Sequence, residues 1–332
     1  MIKLIYKNMF NRKYFLILSS VIPLFFVSGI YNVDNIYSYK DNYKIEIIDH
    51  EILIDQNEIM NIIGSVKNNE YFPVKVIIGL DIEDKYGDKA LLKSSTFADI
   101  IYPDSAVPFK INIDTDEKVL GKPYIIEVDE LKIPWIQSLS QNYANIPIGK
   151  EKALVGTVKN TGSVVVEDVQ VYASVHAEDG KQIDSVKSKV IPIIRPGEEV
   201  LYQIIPDPTI KSDVSYFSCA GLNINNPINT LKVDDDEYVA FKMESVSKIS
   251  NFKYEKKFDG ITLDIKPYNP AGGDFIFQVP QMSEDHKVNV KLDGQSYNNT
   301  SITGNGKTLT IKVFVPPEDH NLIISGITNK FV

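Results

Sequence analysis

Two turns near the carboxy terminus hold the residues best suited to chemistry. One is "SEDHK", with Glu284, Asp285 and His286; the other is "PEDHN", with Glu318, Asp319 and His320. Two imidazoles and four carboxylates meeting at one point would make a ligand set for zinc or manganese. Their places along the chain argue against a meeting. A strand over 287–292 follows the first turn, hairpins turn at Asp293–Gly294 and around Gly304 and Gly306, and the second turn follows a strand over 307–315. In a simple meander these two loops fall at opposite ends, so they read as solvated turns. His50 and His176 stand alone in separate segments, and no HExxH, GxSxG, GxxxxGK[ST] or GxGxxG pattern occurs. The run "DDDE" beginning at Asp234 lacks the spaced acidic residues and glycine of a calcium loop. We therefore expect no enzyme activity, no metal and no cofactor. Asn298 and Asn299, in "YNNTS", each head an Asn-x-Ser/Thr triplet and are candidate glycosylation sites. The single cysteine, Cys219, excludes an internal disulfide; within the apolar "SYFSCAGL" it reads as a buried, inert thiol.

Earlier in the chain one strand-and-turn phrase is written twice. "IGSVKNN" at Ile63–Asn69 and "VGTVKNTG" at Val155–Gly162 pair Gly64 with Gly156, Val66 with Val158, Lys67 with Lys159 and Asn68 with Asn160. After one inserted residue the match resumes: Val76 with Val169, Gly87 with Gly180, Pro103 with Pro196, Ile111 with Ile204. Within each copy the apolar positions alternate, as in "VKVIIGLDI" and "VQVYASV", and turn-forming clusters separate them. This is the period of half-buried strands. The repeated phrase is thus a folding instruction: a core valine ends a strand, Asn68 or Asn160 bonds nearby backbone in a turn, and Asn69 and Gly162 offer the next position for positive φ. Gly64 and Gly156, inside strands, mark a bulge or a close backbone approach.

At these residues the chain resembles the FxLyD domain family of exported immunoglobulin-like sandwiches. In the first copy Leu80, Ile82 and Asp84 stand in the F, L and D places; the second keeps "VGTVKN", "VQVYASV" and "RPGEEVLYQI", while its Asp179 directly precedes Gly180 and breaks the named motif. The resemblance implies an extracytoplasmic structural or interaction module with no catalytic residues. The last third, with "ITLDIKPY", "GDFIFQVP", "KVNVKLDG" and "TLTIKVFVPP", is again β-patterned but lacks the repeated phrase. It is similar to carboxy-terminal sandwich domains of archaeal exported surface proteins. Trp135, in "LKIPWIQSL", lies between the copies, as a wedge or as the cap of one core.

The amino terminus places the rest. Residues 14–33, "YFLILSSVIPLFFVSGIYNV", are uncharged and long enough, at about 1.5 Å per residue, to cross a hydrocarbon core of about 30 Å. Lys3, Lys7, Arg12 and Lys13 precede this run and Asp34 and Asp41 follow it, so the positive-inside rule puts the N-terminus in the cytoplasm. A cleaved signal peptide is the competing reading. The net charge of −9, with four positive and no acidic side chains in the first thirteen residues, leaves about −13 on the remainder. Such a surface argues against nucleic acid or anionic lipid as a partner.

The expected organisation is a basic tail (1–13), a transmembrane helix (14–33), two sandwich modules (43–132 and 136–232) and a carboxy-terminal sandwich (238–332). The expected fold class is all-β: tandem immunoglobulin-like β-sandwiches after a single N-terminal transmembrane helix. The expected function is a membrane-anchored extracytoplasmic stalk and protein-binding surface, with other envelope or membrane proteins as partners. An accessory extracellular subunit of a membrane enzyme or transporter is the alternative.

Overall fold

The computed structural model describes residues 43–113, 116–148, 151–223, 229–283 and 287–328, and over these the protein is all-β. The first repeat contributes β1 (Ile45–Ile54), β2 (Met60–Asn68), β3 (Val74–Glu83), β4 (Lys89–Ser95), β5 (Ala106–Ile113), β6 (Lys118–Val119) and β7 (Tyr124–Glu130). One sheet runs β1-β2-β5, and the other groups β4, β6 and β7 around β3. The alternating residues predicted to be apolar in β3, among them Val76, Ile78 and Leu80, meet Ile62, Val66, Phe109 and Ile111 in one buried core. Period-2 alternation puts one face of each strand inward.

A short strand, β8 (Trp135–Ile136), links to the second repeat: β9 (Leu139–Ile148), β10 (Glu151–Asn160), β11 (Val164–His176), β12 (Gln182–Lys187), β13 (Ile191–Ile194), β14 (Glu199–Ile204) and β15 (Tyr216–Asn223). Its plan repeats the first. The sheet β14-β10-β9 answers β5-β2-β1, and β11 pairs with β12, β13 and β15. Register agrees residue by residue: Gly64 faces Phe109 and Ile62 faces Ile111, while Gly156 faces Tyr202 and Leu154 faces Ile204. The inserted residue falls between Val166 and Val169, where Asp168 takes a φ of 53°.

Both repeated asparagines are fully buried, and both make the same three bonds. The Asn68 Nδ2 donates to the carbonyls of Phe72 and Ile101, each at 2.9 Å, and its Oδ1 accepts from the Glu70 N–H. The Asn160 Nδ2 donates to Val164 (2.6 Å) and Ile194 (2.9 Å), and its Oδ1 accepts from the Gly162 N–H. One amide therefore fastens its own turn to a segment more than thirty residues downstream. The expected positive φ is not found at Asn69 or Gly162; it occurs at Asp104 and Gly197, whose N–H groups reach back to the carbonyls of Asn68 and Asn160. The strand glycines make room for aromatics: a Cβ at Gly64 would stand 2.9 Å from the Phe109 ring, and one at Gly156 would strike the Asn142 carbonyl.

The copies pack face to face. The outer face of β2 is itself buried, with Ile63 at 0% and Ser65 at 5% exposure, and Tyr172 from β11 joins the first repeat's core. At this interface the Lys110 Nζ lies 2.9 Å from Asp184 and 3.4 Å from Asp207. The Thr209 hydroxyl sits 3.0 Å from Asp55 and 2.6 Å from Asp207. Lys110 and Asp184 are both withdrawn from solvent.

The remaining strands are β16 (Asn229–Asp234), β17 (Glu237–Ser245), β18 (Ser247–Glu255), β19 (Gly260–Pro267), β20 (Gly273–Pro280), β21 (Asn289–Leu292), β22 (Gln295–Ser296), β23 (Thr300–Gly304), β24 (Thr308–Val315) and β25 (His320–Ser325), with a single 3-10 turn at Lys256–Phe258. They enclose a third core between the sheet carrying β17, β20, β24 and β23 and the sheet β22-β21-β25-β19-β18-β8. Two earlier segments enter this unit. β8 pairs in parallel with β18, and β11 pairs through Val164 and Val165 with β16. The acidic run at Asp234 is the tip of the β16–β17 hairpin, and Leu231 and Val233 just before it belong to the third core. The expected membrane span, 14–33, lies outside the described residues, among which no helix is long and apolar enough to cross a membrane.

Candidate functional site

Where the three β-units meet, the chain between the repeats is held in place by backbone bonds to each side. The Leu131 N–H donates to Pro73, the Ser245 N–H to Lys132 and the Gln137 N–H to Ile249. With its backbone fixed in this way, residues 131–139 present their side chains to a cleft of about 1030 Å³. Ligand sites commonly occupy about 300–1,000 Å³. Tyr102 and Ile100 form the wall from the first repeat, Val164, Val166, Tyr172 and Leu222 the wall from the second, and Met243 with Lys242 and Glu244 the wall from the third.

Trp135 lies in this cleft, between the first repeat and the third unit. Its ring is 39% exposed, stands 6.2 Å from that of Tyr102, and carries the Lys248 Nζ at 4.8 Å over its face. Burial pushes the Tyr102 hydroxyl well above the usual phenol range, so it stays a neutral donor, 3.3 Å from the Pro134 carbonyl. Lys242 is paired with Glu244 at 2.6 Å. Lys75 and Lys132 are exposed and form no ion pair among the described residues.

The residues singled out by chemical type lie elsewhere. Glu284, Asp285 and His286 are outside the described residues. His320 bonds through Nδ1 to Asp293 at 2.8 Å and through Nε2 to the Pro317 carbonyl at 3.0 Å. The hydrogen bond that the imidazole donates to Asp293 raises the imidazole pKa, and the same bond, with the one from the Asn321 N–H, lowers that of Asp293. Strand β21 runs antiparallel to β25, with Asn289 opposite Ser325 and Leu292 opposite Leu322. The chain entering β21 therefore reaches the end of β25 remote from His320. Among the described residues no three His, Cys, Asp or Glu side chains are grouped to hold a metal ion.

Asp234, at the acidic hairpin tip, pairs with Lys256 at 2.6 Å. Asn298 and Asn299 are both exposed, in the connection from β22 to β23, within reach of a modifying enzyme. Cys219 lies on β15.

One polar pair has no sequence signal at all. The His176 Nε2 lies 2.6 Å from the Ser218 Oγ, its Nδ1 lies 3.1 Å from the Gly180 carbonyl, and its ring stacks on Tyr216 at 4.7 Å. Ser218 is 42 residues away in sequence. A base beside a hydroxyl is half of a nucleophilic site. The other requirement is a set of donors aimed at a developing oxyanion; here both ring nitrogens and the stacked face already hold β11 against β15 and the following turn. The cleft had no signal either, because its walls come from segments up to about 170 residues apart. No model of a known protein family matches the chain, and no curated protein is significantly similar to it.

Proposed function

We propose that this chain is a membrane-anchored, extracytoplasmic interaction protein whose β-sandwiches form a fixed scaffold for other envelope or membrane proteins. The observation that carries the reading is the way the units are joined. Strand β8 is built into the sheet of the third unit, β11 is shared between the second and third, and the copies are clamped through Lys110, Asp184 and Asp207. Joints of this kind hold surfaces in fixed relation, which suits binding across several units at once. The FxLyD-like reading of the repeats, as immunoglobulin-like modules of an archaeal surface protein, is supported by the asparagine bonds and the glycine–aromatic pairs common to both copies. The reading assigns no catalytic turnover. Its anchor is the apolar run 14–33, with the acidic remainder outside the membrane.

Protease treatment of intact cells tests the topology: the body after residue 42 is expected to be cut while a cytoplasmic control survives. Protection of that body overturns the reading. Co-purification from solubilised membranes then separates scaffold from subunit, since a fixed stoichiometric complex with one enzyme or transporter favours an accessory role.

A further inference from the structure

We infer that the three-way cleft binds an anionic amphiphile, a molecule with an apolar chain and a carboxylate or phosphate head. The inference goes beyond the scaffold reading and does not depend on where the chain is displayed. The cleft is large, about 1030 Å³, and its interior is built from aliphatic and aromatic groups: Ile100, Ile136, Val164, Leu222 and Met243, with Trp135 and Tyr102 at the wall. Such a lining favours an apolar body by removing its surface from water. The charges at its edge select the head. The charged side chains lining the cleft are Lys75, Lys132 and Lys242 against Asp99 and Glu244, a positive balance on a chain of net −9; Lys242 is held by Glu244, while Lys75 and Lys132 are exposed and form no ion pair among the described residues. A positive balance of charge at the cleft of an otherwise acidic protein disfavours a cationic head and favours an anionic one. Lys248 already covers one face of the Trp135 ring and leaves the indole 39% exposed, so an inserted chain can touch it.

Trp135 is the protein's only tryptophan and therefore its own reporter. The test uses the full-length chain in neutral detergent micelles, titrated with a brominated fatty acid whose bromines quench an indole on contact. Saturable quenching at micromolar concentration is expected, with the neutral methyl ester of the same acid at least tenfold weaker. In the double variant Lys75→Gln, Lys132→Gln the acid should fall to the level of the ester while the ester is unchanged, which separates head recognition from chain binding. A brominated alkyl phosphate distinguishes a phosphate source from a carboxylate one by which head quenches at lower concentration. A linear quench equal to micelle partitioning, equal binding of acid and ester, or equal binding of a brominated alkylammonium each overturns the proposal. A protein that co-purifies on the cleft and shields Trp135 from the acid overturns it as well.

Discussion

The repeats and the third unit solve one problem, how to fasten a turn to distant backbone, with different chemistry. In the repeats the buried fastener is an amide, Asn68 or Asn160, which carries no charge at any pH. In the third unit the fastener is a carboxylate, buried at Asp259 and exposed at Asp293. Asp259, 3% exposed, accepts from the Tyr254 hydroxyl at 2.8 Å and from the Thr328 N–H and hydroxyl; Asp293 accepts from His320 and from the Asn321 N–H. Neutral fasteners make a turn indifferent to pH, whereas charged ones tie it to the titration of their partners. The repeats do bury charge, but at their mutual interface. Burial alone would raise the pKa of Asp207; bonds from Thr209 and the charge of Lys110 outweigh it and hold that carboxyl below its ordinary value.

The comparison breaks most easily at the amides. Asn68→Ala removes the donor to the Phe72 and Ile101 carbonyls and the acceptor of the Glu70 N–H, with Ile101 keeping only its bond from the Val74 N–H, and Asn160→Ala removes the equivalent three bonds, at about 1–3 kcal/mol for each group left unsatisfied. Each variant should lose about 3–5 kcal/mol in urea unfolding, and the losses should agree within about 1 kcal/mol. A small loss at one and a large loss at the other would show that the repeated phrase does unequal work in the two copies.

How much of this was legible in the sequence depended on how local the signal was. The asparagines, the strand glycines and the core alternation repeat at fixed spacing, and one repeat checks the other. Period-2 alternation cannot show that a strand is buried on both faces, so nothing in "IGSVKNN" announced that Ile63 and Ser65 lie against a second sheet. The gap left between the expected modules at 233–237 holds the tip of the β16–β17 hairpin, and hairpin tips and linkers share a composition. The positive φ was expected beside the asparagine and was found at Asp104 and Gly197, because the downstream turn bends back to meet the asparagine carbonyl. The cleft, Lys110 with Asp184, and His176 with Ser218 join segments between which no spacing rule operates.

The interface between the repeats is the next place to press. Lys110→Met strands the Asp184 carboxylate, 1% exposed, and should cost about 3 kcal/mol. Adding Asp184→Asn removes the stranded charge and keeps an acceptor for the Ser185 N–H, so the double variant should recover more than half of that loss. If the double variant is no better than the single one, the pair contributes packing and not charge balance. Neither change should weaken the third unit, which makes no ion pair with these residues.

Alkaline titration sharpens the contrast from the other side. The Tyr254 hydroxyl is pushed up to about 12, first by desolvation and then by its bond to Asp259 and that group's charge. Since the folded value lies above the unfolded value of about 10, the contribution is complete below pH 10 and is lost between about 10 and 12. After allowance for the partly exposed ring, the loss is about 1 kcal/mol. Ultraviolet difference titration should show a tyrosinate step near pH 12 that Tyr254→Phe removes. If the step that Tyr254→Phe removes lies near pH 10 instead, the Asp259 fastener does not hold in solution.

The smallest effect is the most specific to the third unit. His320 has its pKa raised by Asp293, so its contribution is full below the unfolded value of about 6.5 and disappears as pH rises through the folded value. Asp293 has its pKa lowered by His320 and Asn321, so its contribution is present above the unfolded value of about 3.9 and lost as pH falls through the folded one. The two therefore support each other best between about pH 4 and 6.5. Because the Asp293 side chain is 55% exposed, the pair contributes under about 1 kcal/mol. Raising the pH from 5.5 to 8.5 should speed hydrogen exchange, relative to the intrinsic rate, in the backbone that this pair holds, from Asp293 through the Pro316–Asn321 connection. His320→Gln should abolish that pH response. The turns at Asn68 and Asn160 should show no corresponding change, because an amide has no proton to lose in this range. An equal response in all three turns would assign the pH sensitivity to the net charge of the chain and remove the distinction between amide and carboxylate fasteners.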